Sequence, residues 1–124
     1  MSQDIVADVL NQMINAKKSG KNIVETPRFS KLLLLVLAIA KLKGYIKDYK
    51  VQDKKLKIEM SNLNNCKAIK PRYTVSVEQI ERYAKRYLPA KNIGIIIIST
   101  SQGLMTHQTA LEKNIGGSLI AYIY

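Results

Sequence analysis

Tryptophan is absent from these 124 residues, and phenylalanine, cysteine and histidine each occur once. A single cysteine, Cys66, excludes an internal disulfide and fits a reducing cytoplasm rather than a secreted disulfide scaffold. One cysteine and one histidine, His107, cannot make a structural zinc site, and no paired carboxylates stand at a suitable spacing, so no metal is expected. Phosphate-loop and dinucleotide glycine motifs are missing, so no cofactor is expected either. Long apolar runs are missing too. The most apolar stretch, LLLLVLAIA at residues 32 to 40, falls far short of the about 20 residues that a membrane-spanning helix needs and reads as a buried helix. Asp4 and Asp8 interrupt the opening apolar positions, so no signal pattern is seen. Acidic residues are scarce: 9 against 20 Lys and Arg, a formal net charge of +11.

What is present is a sizeable core and a basic surface. Hydrophobic residues make up 47%, enough for one compact domain or two small subdomains. Residues 1–62 hold twelve basic and six acidic residues, and residues 63–124 hold eight and three. The excess therefore belongs to the whole body, and it points to a polyanion as partner.

Residues 4–18 predict an amphipathic helix, with Ile5, Val9 and Met13 beside Val6, Leu10 and Ile14. Asp4 and Asp8 near its start and Lys17 and Lys18 near its end suit the helix dipole. NIVETP, residues 22 to 27, reads as a short strand. Ser30 can cap a second helix that runs through Lys43 and closes at Gly44. A hairpin follows, from YIKDYKV through Asp53-Lys54 into KLKIEM. The polar break SNLNN, residues 61 to 65, sets a boundary between subdomains 1–62 and 63–124. In the second half, AIKPRYTV predicts an extended segment. Ser76 to Gln79 is a capping box before a helix to about Leu88, with Val75 and Ile80 as its hydrophobic staple. IGIIIIS reads as a strand buried on both faces. Thr106 can cap a short helix to about Lys113 that Gly116-Gly117 ends, and SLIAYIY is a last strand. The fold class is α+β.

Three hydroxyl residues, Ser99-Thr100-Ser101, close the apolar strand, and Gly103 follows. A nucleophile there would need a base and a group to orient it. His107 is the only imidazole, expected in the first turn of its helix and on the surface, and no nucleophile-elbow pattern surrounds the serines. Two readings stand well ahead of a serine enzyme. One is a hydroxyl turn that ends a strand. The other is a strand-to-helix loop whose short polar side chains face the shallow minor groove of RNA, where 2′-hydroxyls are exposed, with Gly103 allowing close approach. The basic residues carry the same ambiguity. Lys17, Lys18, Lys21, Arg28 and Lys31 crowd the first two helices, and Lys67, Lys70 and Arg72 surround Pro71 and Tyr73. Few acids interleave them, which suits phosphate contact, and Tyr73 can stack on a base or sugar.

The motifs STSQGLMTHQTALEKNIGGSLIAYIY (99–124), DIVADVLNQMINAKKSGK (4–21) with Ser30-Lys31 and Gly44-Tyr45-Ile46, and AIKPRYTVSVEQIERYAKRYLPA (68–90) resemble one family. This is the small-subunit ribosomal protein of the S-eight family, in its archaeal and eukaryotic-like form. The resemblance covers essentially the whole chain. It implies two small α+β subdomains, the first like a double-stranded-RNA-binding arrangement, and a non-catalytic protein that binds the central domain of small-subunit ribosomal RNA early in assembly. It implies other small-subunit ribosomal proteins as neighbours. It makes Ser99, Thr100, Ser101 and Gly103 the RNA-facing loop, with Gly116 and Gly117 counted beside it. Asn15, Lys17, Ser30 and Lys31 fall on the N-terminal contact surface, and Lys70, Arg72 and Tyr73 on the extended segment that approaches RNA. Many members carry an arginine just before the Asn-Ala of helix one. Here Gln12 and Met13 supply no cation, and Lys17 and Lys18 are the nearest. The alternative role is a translational regulator that binds a messenger copy of the same RNA shape.

Overall fold

The computed structural model describes residues 5–70, 72–90 and 93–124. Asp4 and Pro71, invoked above, lie outside them. The chain divides into two compact units, Met1–Cys66 and Lys67–Tyr124.

In the first unit, α1 spans Ile5–Lys18 and buries Val6, Ala7, Val9, Leu10 and Met13, the apolar stripe read from its spacing. β1 is Ile23–Thr26. Ser30 caps α2, Lys31–Leu42, by accepting a 3.2 Å hydrogen bond from the Leu33 amide, which satisfies one of the orphan donors of the first turn. α2 buries Leu33, Val36, Leu37 and Ala40, while Leu35, Ala38 and Leu42 lie on its exposed face. Strands β2, Ile46–Gln52, and β3, Lys55–Met60, form the hairpin. Its two turn residues, Asp53 and Lys54, both adopt positive φ. That geometry matches the right-handed twist of the strands it joins. The sheet order is β1-β3-β2, all antiparallel. Leu56, Ile58 and Met60 of β3 point into the core and alternate with Lys57 and Glu59, so the period-two pattern fixes which face is buried.

The second unit is built on a five-stranded sheet. β4 is Cys66–Ala68, β5 Thr74–Val75, β6 Ile95–Thr100, β7 Gly103–Thr106 and β8 Gly117–Ile123. The order is β4-β8-β6-β7, with β5 also paired to β8. Ile95 to Ile98 of β6 are all buried, as expected of a strand flanked on both edges and covered on both faces. α3, Val77–Tyr87, and α4, His107–Lys113, complete the unit. Val75, Ile80, Leu88, Ile96, Ile98, Met105, Ala110 and Leu119 form its main core. The capping box at α3 closes from the Gln79 side, whose Oε1 accepts from the Ser76 amide at 3.0 Å. Thr106 accepts from the Thr109 amide at 3.3 Å and starts α4.

Two sequence expectations give way here. Ser99-Thr100-Ser101 does not lead from a strand to a helix. It leads from β6 around a tight turn into β7, a strand that pairs Ile97↔Thr106 through Thr100↔Gly103. β7 has only four residues, too few to show alternation, and it forms because β6 offers it an edge. Nor do Gly116 and Gly117 end α4. Asn114 does, in the left-handed conformation at φ 58° and ψ 45°, a geometry asparagine tolerates.

Candidate nucleic-acid interface

The β6–β7 hairpin turn sorts its three hydroxyls into different positions. Thr100 Oγ1 donates to the Gly103 carbonyl at 2.8 Å and accepts from the Gln102 amide at 3.1 Å. Its one donor and one of its two acceptor sites are therefore engaged in closing the turn. Gly103 sits at φ +107° with open space where a Cβ would stand. Its requirement for glycine is thus conformational rather than a matter of crowding. Ser101 is exposed at the tip and Ser99 is half-buried on the strand. Neither side chain hydrogen-bonds to another described residue, so both hydroxyls keep their donor and acceptor capacity for a ligand.

Ser99 does not stand alone. It pairs with Ser118 on β8, and Ser118 pairs with Thr74 on β5. Directly opposed residues in a sheet share a face, so Thr74, Ser118 and Ser99 form a row of hydroxyls across three strands. The oxygens of Thr74 and Ser118 are 3.5 Å apart. Sequence reasoning missed Thr74 and Ser118, which lie far from the hydroxyl triplet along the chain. Only strand register brings them to it.

The two glycines make this row possible. A Cβ on Gly117 would collide with the carbonyl oxygen of Ser99, and one on Gly116 with that of Val75. Both glycines therefore let backbone approach backbone at the end of the sheet that carries the turn. The Leu119 amide donates to the Tyr73 carbonyl at 2.9 Å, which brings Tyr73 to the same end. The Tyr73 ring packs on Tyr83 at a centroid distance of 5.6 Å and joins a file of rings through Tyr87, Tyr122 and Tyr124. Lys70 and Arg72 are exposed on the connection between β4 and β5. Ser99, Thr100, Ser101, Gly103, Gly116, Gly117 and Tyr73 are thus gathered at one end of one sheet.

In the first unit, Asn15 is exposed and Lys17 half-buried near the end of α1, and Lys31 is exposed at the start of α2. The Ser30 hydroxyl is engaged as the α2 cap. Arg28 is paired with Asp8 at 3.2 Å, which offsets part of its charge. Lys41 and Lys47 are likewise paired, with Asp48 and Glu59. The hydrogen bond from Lys41, with the Tyr49 amide behind it, holds the Asp48 carboxyl below its ordinary range. Lys17, Lys18, Lys21 and Lys31 make no ion pair with another described residue. Cations without an ion pair to another described residue thus stand at the α1 terminus and the α2 start, as they do on the β2–β3 hairpin at Lys54, Lys55 and Lys57, and each is open to a phosphate.

His107, read from sequence as a surface residue, is only 7% exposed. Its Nδ1 accepts a 3.1 Å hydrogen bond from the Ile96 amide. β7 pairs with β6 only as far as Ile97, so the imidazole serves the strand amide that lies just beyond β7. Burial pushes its pKa below the usual imidazole value. Among the described residues, no three potential metal ligands converge, and no helix is long and apolar enough to cross a membrane.

Residues 4–124 match the family described as ribosomal protein S8. Over 129 aligned residues, covering all of both chains, the sequence is 44% identical to a protein of Nanoarchaeum equitans (strain Kin4-M) named small ribosomal subunit protein uS8.

Proposed function

We propose a role that proceeds from one fact: the chain belongs to the ribosomal protein S8 family. It is a non-catalytic constituent of the small ribosomal subunit in the cytoplasm and works as an RNA-binding protein. It binds directly to the central domain of small-subunit ribosomal RNA and supports assembly of the subunit. Each compact unit supplies RNA contacts. Asn15, Lys17, Ser30 and Lys31 act in the first. In the second, Lys70, Arg72 and Tyr73 act with the hairpin turn. The observation that carries this reading is the pair of open hydroxyls, Ser99 on the strand and Ser101 at the tip, held on either side of Thr100, which locks the turn. Such groups are suited to 2′-hydroxyl and phosphate oxygens and need no deep groove. A hydrolytic role finds no support, because the ring nitrogen that a base would use on His107 is engaged by a strand amide.

The test is a footprint of the purified chain on its own small-subunit ribosomal RNA, with binding measured across a salt series. Protection should fall in the central domain, and log affinity should fall with log salt with a slope of several units if about 5 phosphates are neutralised. A DNA duplex of matching sequence should bind far more weakly. Protection elsewhere, a flat salt response, or equal DNA binding would refute the assignment. Stoichiometric recovery in assembled subunits distinguishes this role from one exercised on a messenger.

A further inference from the structure

Three polar side chains are buried among the described residues: Thr26, Thr106 and His107. Thr106 caps α4, and His107 holds the Ile96 amide. Thr26 faces the core at the end of β1, where alternation with Val24 would suit an apolar residue. Its hydroxyl is engaged by a single neighbour: it accepts from the Arg28 amide at 3.2 Å and donates to the Arg28 carbonyl at 3.3 Å. Pro27 lies between them with its φ fixed by the ring, so the backbone of Arg28 is pinned to the sheet. The side chain of Arg28 is pinned as well. Its Nη1 donates to Oδ2 of Asp8, in the first turn of α1, at 3.2 Å. The pair is exposed, and exposed ion pairs contribute little to stability, so folding alone does not account for an arginine held at both ends. The guanidinium makes no other hydrogen bond to a described residue, which leaves its Nε and Nη2 hydrogens open to a ligand.

We propose that Arg28 is a further RNA-binding residue, whose guanidinium takes a backbone phosphate and is positioned for it by Asp8 and Thr26. This inference rests on the RNA reading above. Arg28 stands two residues before Ser30 and three before Lys31, so it extends the same contact surface. The Nε and Nη2 edge of a guanidinium matches two oxygens of one phosphate. In A-form RNA the base edges of the deep major groove are beyond the reach of side chains, which leaves the phosphates to an arginine on a loop. A free arginine side chain loses rotamer freedom when it binds, and one already held by a carboxylate loses less. Asp8 therefore acts in two opposed ways. Its charge repels the phosphate, whereas its hydrogen bond orients the group that binds the phosphate.

Because these two effects have opposite signs, Asp8→Asn is the decisive variant. It raises the net charge by one from +11, so attraction alone predicts tighter binding. Filter binding to small-subunit ribosomal RNA at one fixed salt concentration should instead show affinity lowered about threefold, the loss expected when one side chain must be ordered on binding. Thr26→Val, which keeps the shape and removes both hydrogen bonds, should lower affinity similarly, and Thr26→Ser should restore it. Arg28→Ala should lower it about fivefold and make the log–log salt slope shallower by up to about one unit. In the Arg28→Ala background, Asp8→Asn should cost nothing further. Urea unfolding of each variant gives the folded fraction, and Asp8→Asn, at a partly exposed position, carries the test if Thr26→Val folds poorly. Wild-type or tighter binding by Asp8→Asn, a loss that persists in the Arg28→Ala background, or wild-type binding by Arg28→Ala or by a folded Thr26→Val would each overturn the proposal and leave the proposed function standing. A wild-type chain that fails to bind this RNA would overturn both.

Discussion

Replacing Ser99, Thr100 and Ser101 by alanine one at a time should give two kinds of variant. Thr100→Ala removes a hydroxyl that makes two hydrogen bonds inside the turn, at 2.8 and 3.1 Å. Intramolecular hydrogen bonds contribute a net of about 0.5–1.5 kcal/mol each. These two are solvent-exposed, so the expected loss of folding stability is about 1 kcal/mol rather than the sum. RNA affinity should fall only as far as the turn opens. Ser99→Ala and Ser101→Ala remove no bond to a described residue, so stability should stay within about 0.5 kcal/mol of wild type. Each should instead weaken RNA binding by about 1 kcal/mol, roughly a fivefold change in dissociation constant.

The measurement is paired. Urea unfolding gives stability, and filter binding at one fixed ionic strength gives affinity, because affinity without a stated salt concentration carries no information. Thr100→Ser supplies the control. It restores the hydroxyl without the methyl group and should return both quantities close to wild type. The reasoning is refuted if Thr100→Ala loses affinity without losing stability, since its hydroxyl would then touch RNA rather than the turn. It is refuted equally if both serine variants bind like wild type, since the turn would then be no interface.

Three further outcomes follow from the same geometry. Gly117→Ala should destabilise the second unit by about 2 kcal/mol or more, as overpacking against backbone does, because its Cβ meets the Ser99 carbonyl oxygen; a melting temperature equal to wild type would contradict this. His107 has a folded pKa below its ordinary value of 6.5, so the unfolded chain takes up the proton first on acidification. Its contribution is fully present above about pH 6.5 and is lost as pH falls below that value, and His107→Asn should flatten this part of the stability profile measured by urea unfolding. The Cys66 thiol, raised by burial from 9.0 to about 12, should resist alkylation at pH 8 in the native protein and react readily in denaturant, at a rate that follows unfolding.

Much of the architecture is legible in the sequence because its causes are local. The stripe of α1, the alternation of β3 and the caps Ser30 and Thr106 all act within a few residues of themselves. The elements they announce stand where their patterns put them. What escapes reading is set by partners distant along the chain. β7 becomes a strand because β6 has an edge to fill. His107 is drawn into the interior by an amide that β7 leaves unpaired. Gly116 and Gly117 look like a helix stop, but their smallness answers to Val75 and Ser99 across the sheet.

The hydroxyl triplet shows the same limit at the site itself. As a string, Ser-Thr-Ser presents three equivalent groups, and nothing in their order ranks them. The turn separates them through Gly103: its carbonyl takes the Thr100 hydroxyl, and its positive φ lets the chain reverse over a two-residue loop. Ser101 is carried to the tip, and Ser99 falls into register with Ser118 and Thr74. Beside the exposed Ser101, the sheet offers a second candidate in the half-buried Ser99, because a β-row extends a binding edge sideways, across chain-distant residues. Binding energy at this end of the sheet should therefore be shared between the turn and the row. A Ser99→Ala/Ser118→Ala pair should lose more RNA affinity than either change alone, with stability held. A pair no weaker than Ser99→Ala by itself would confine the interface to the turn.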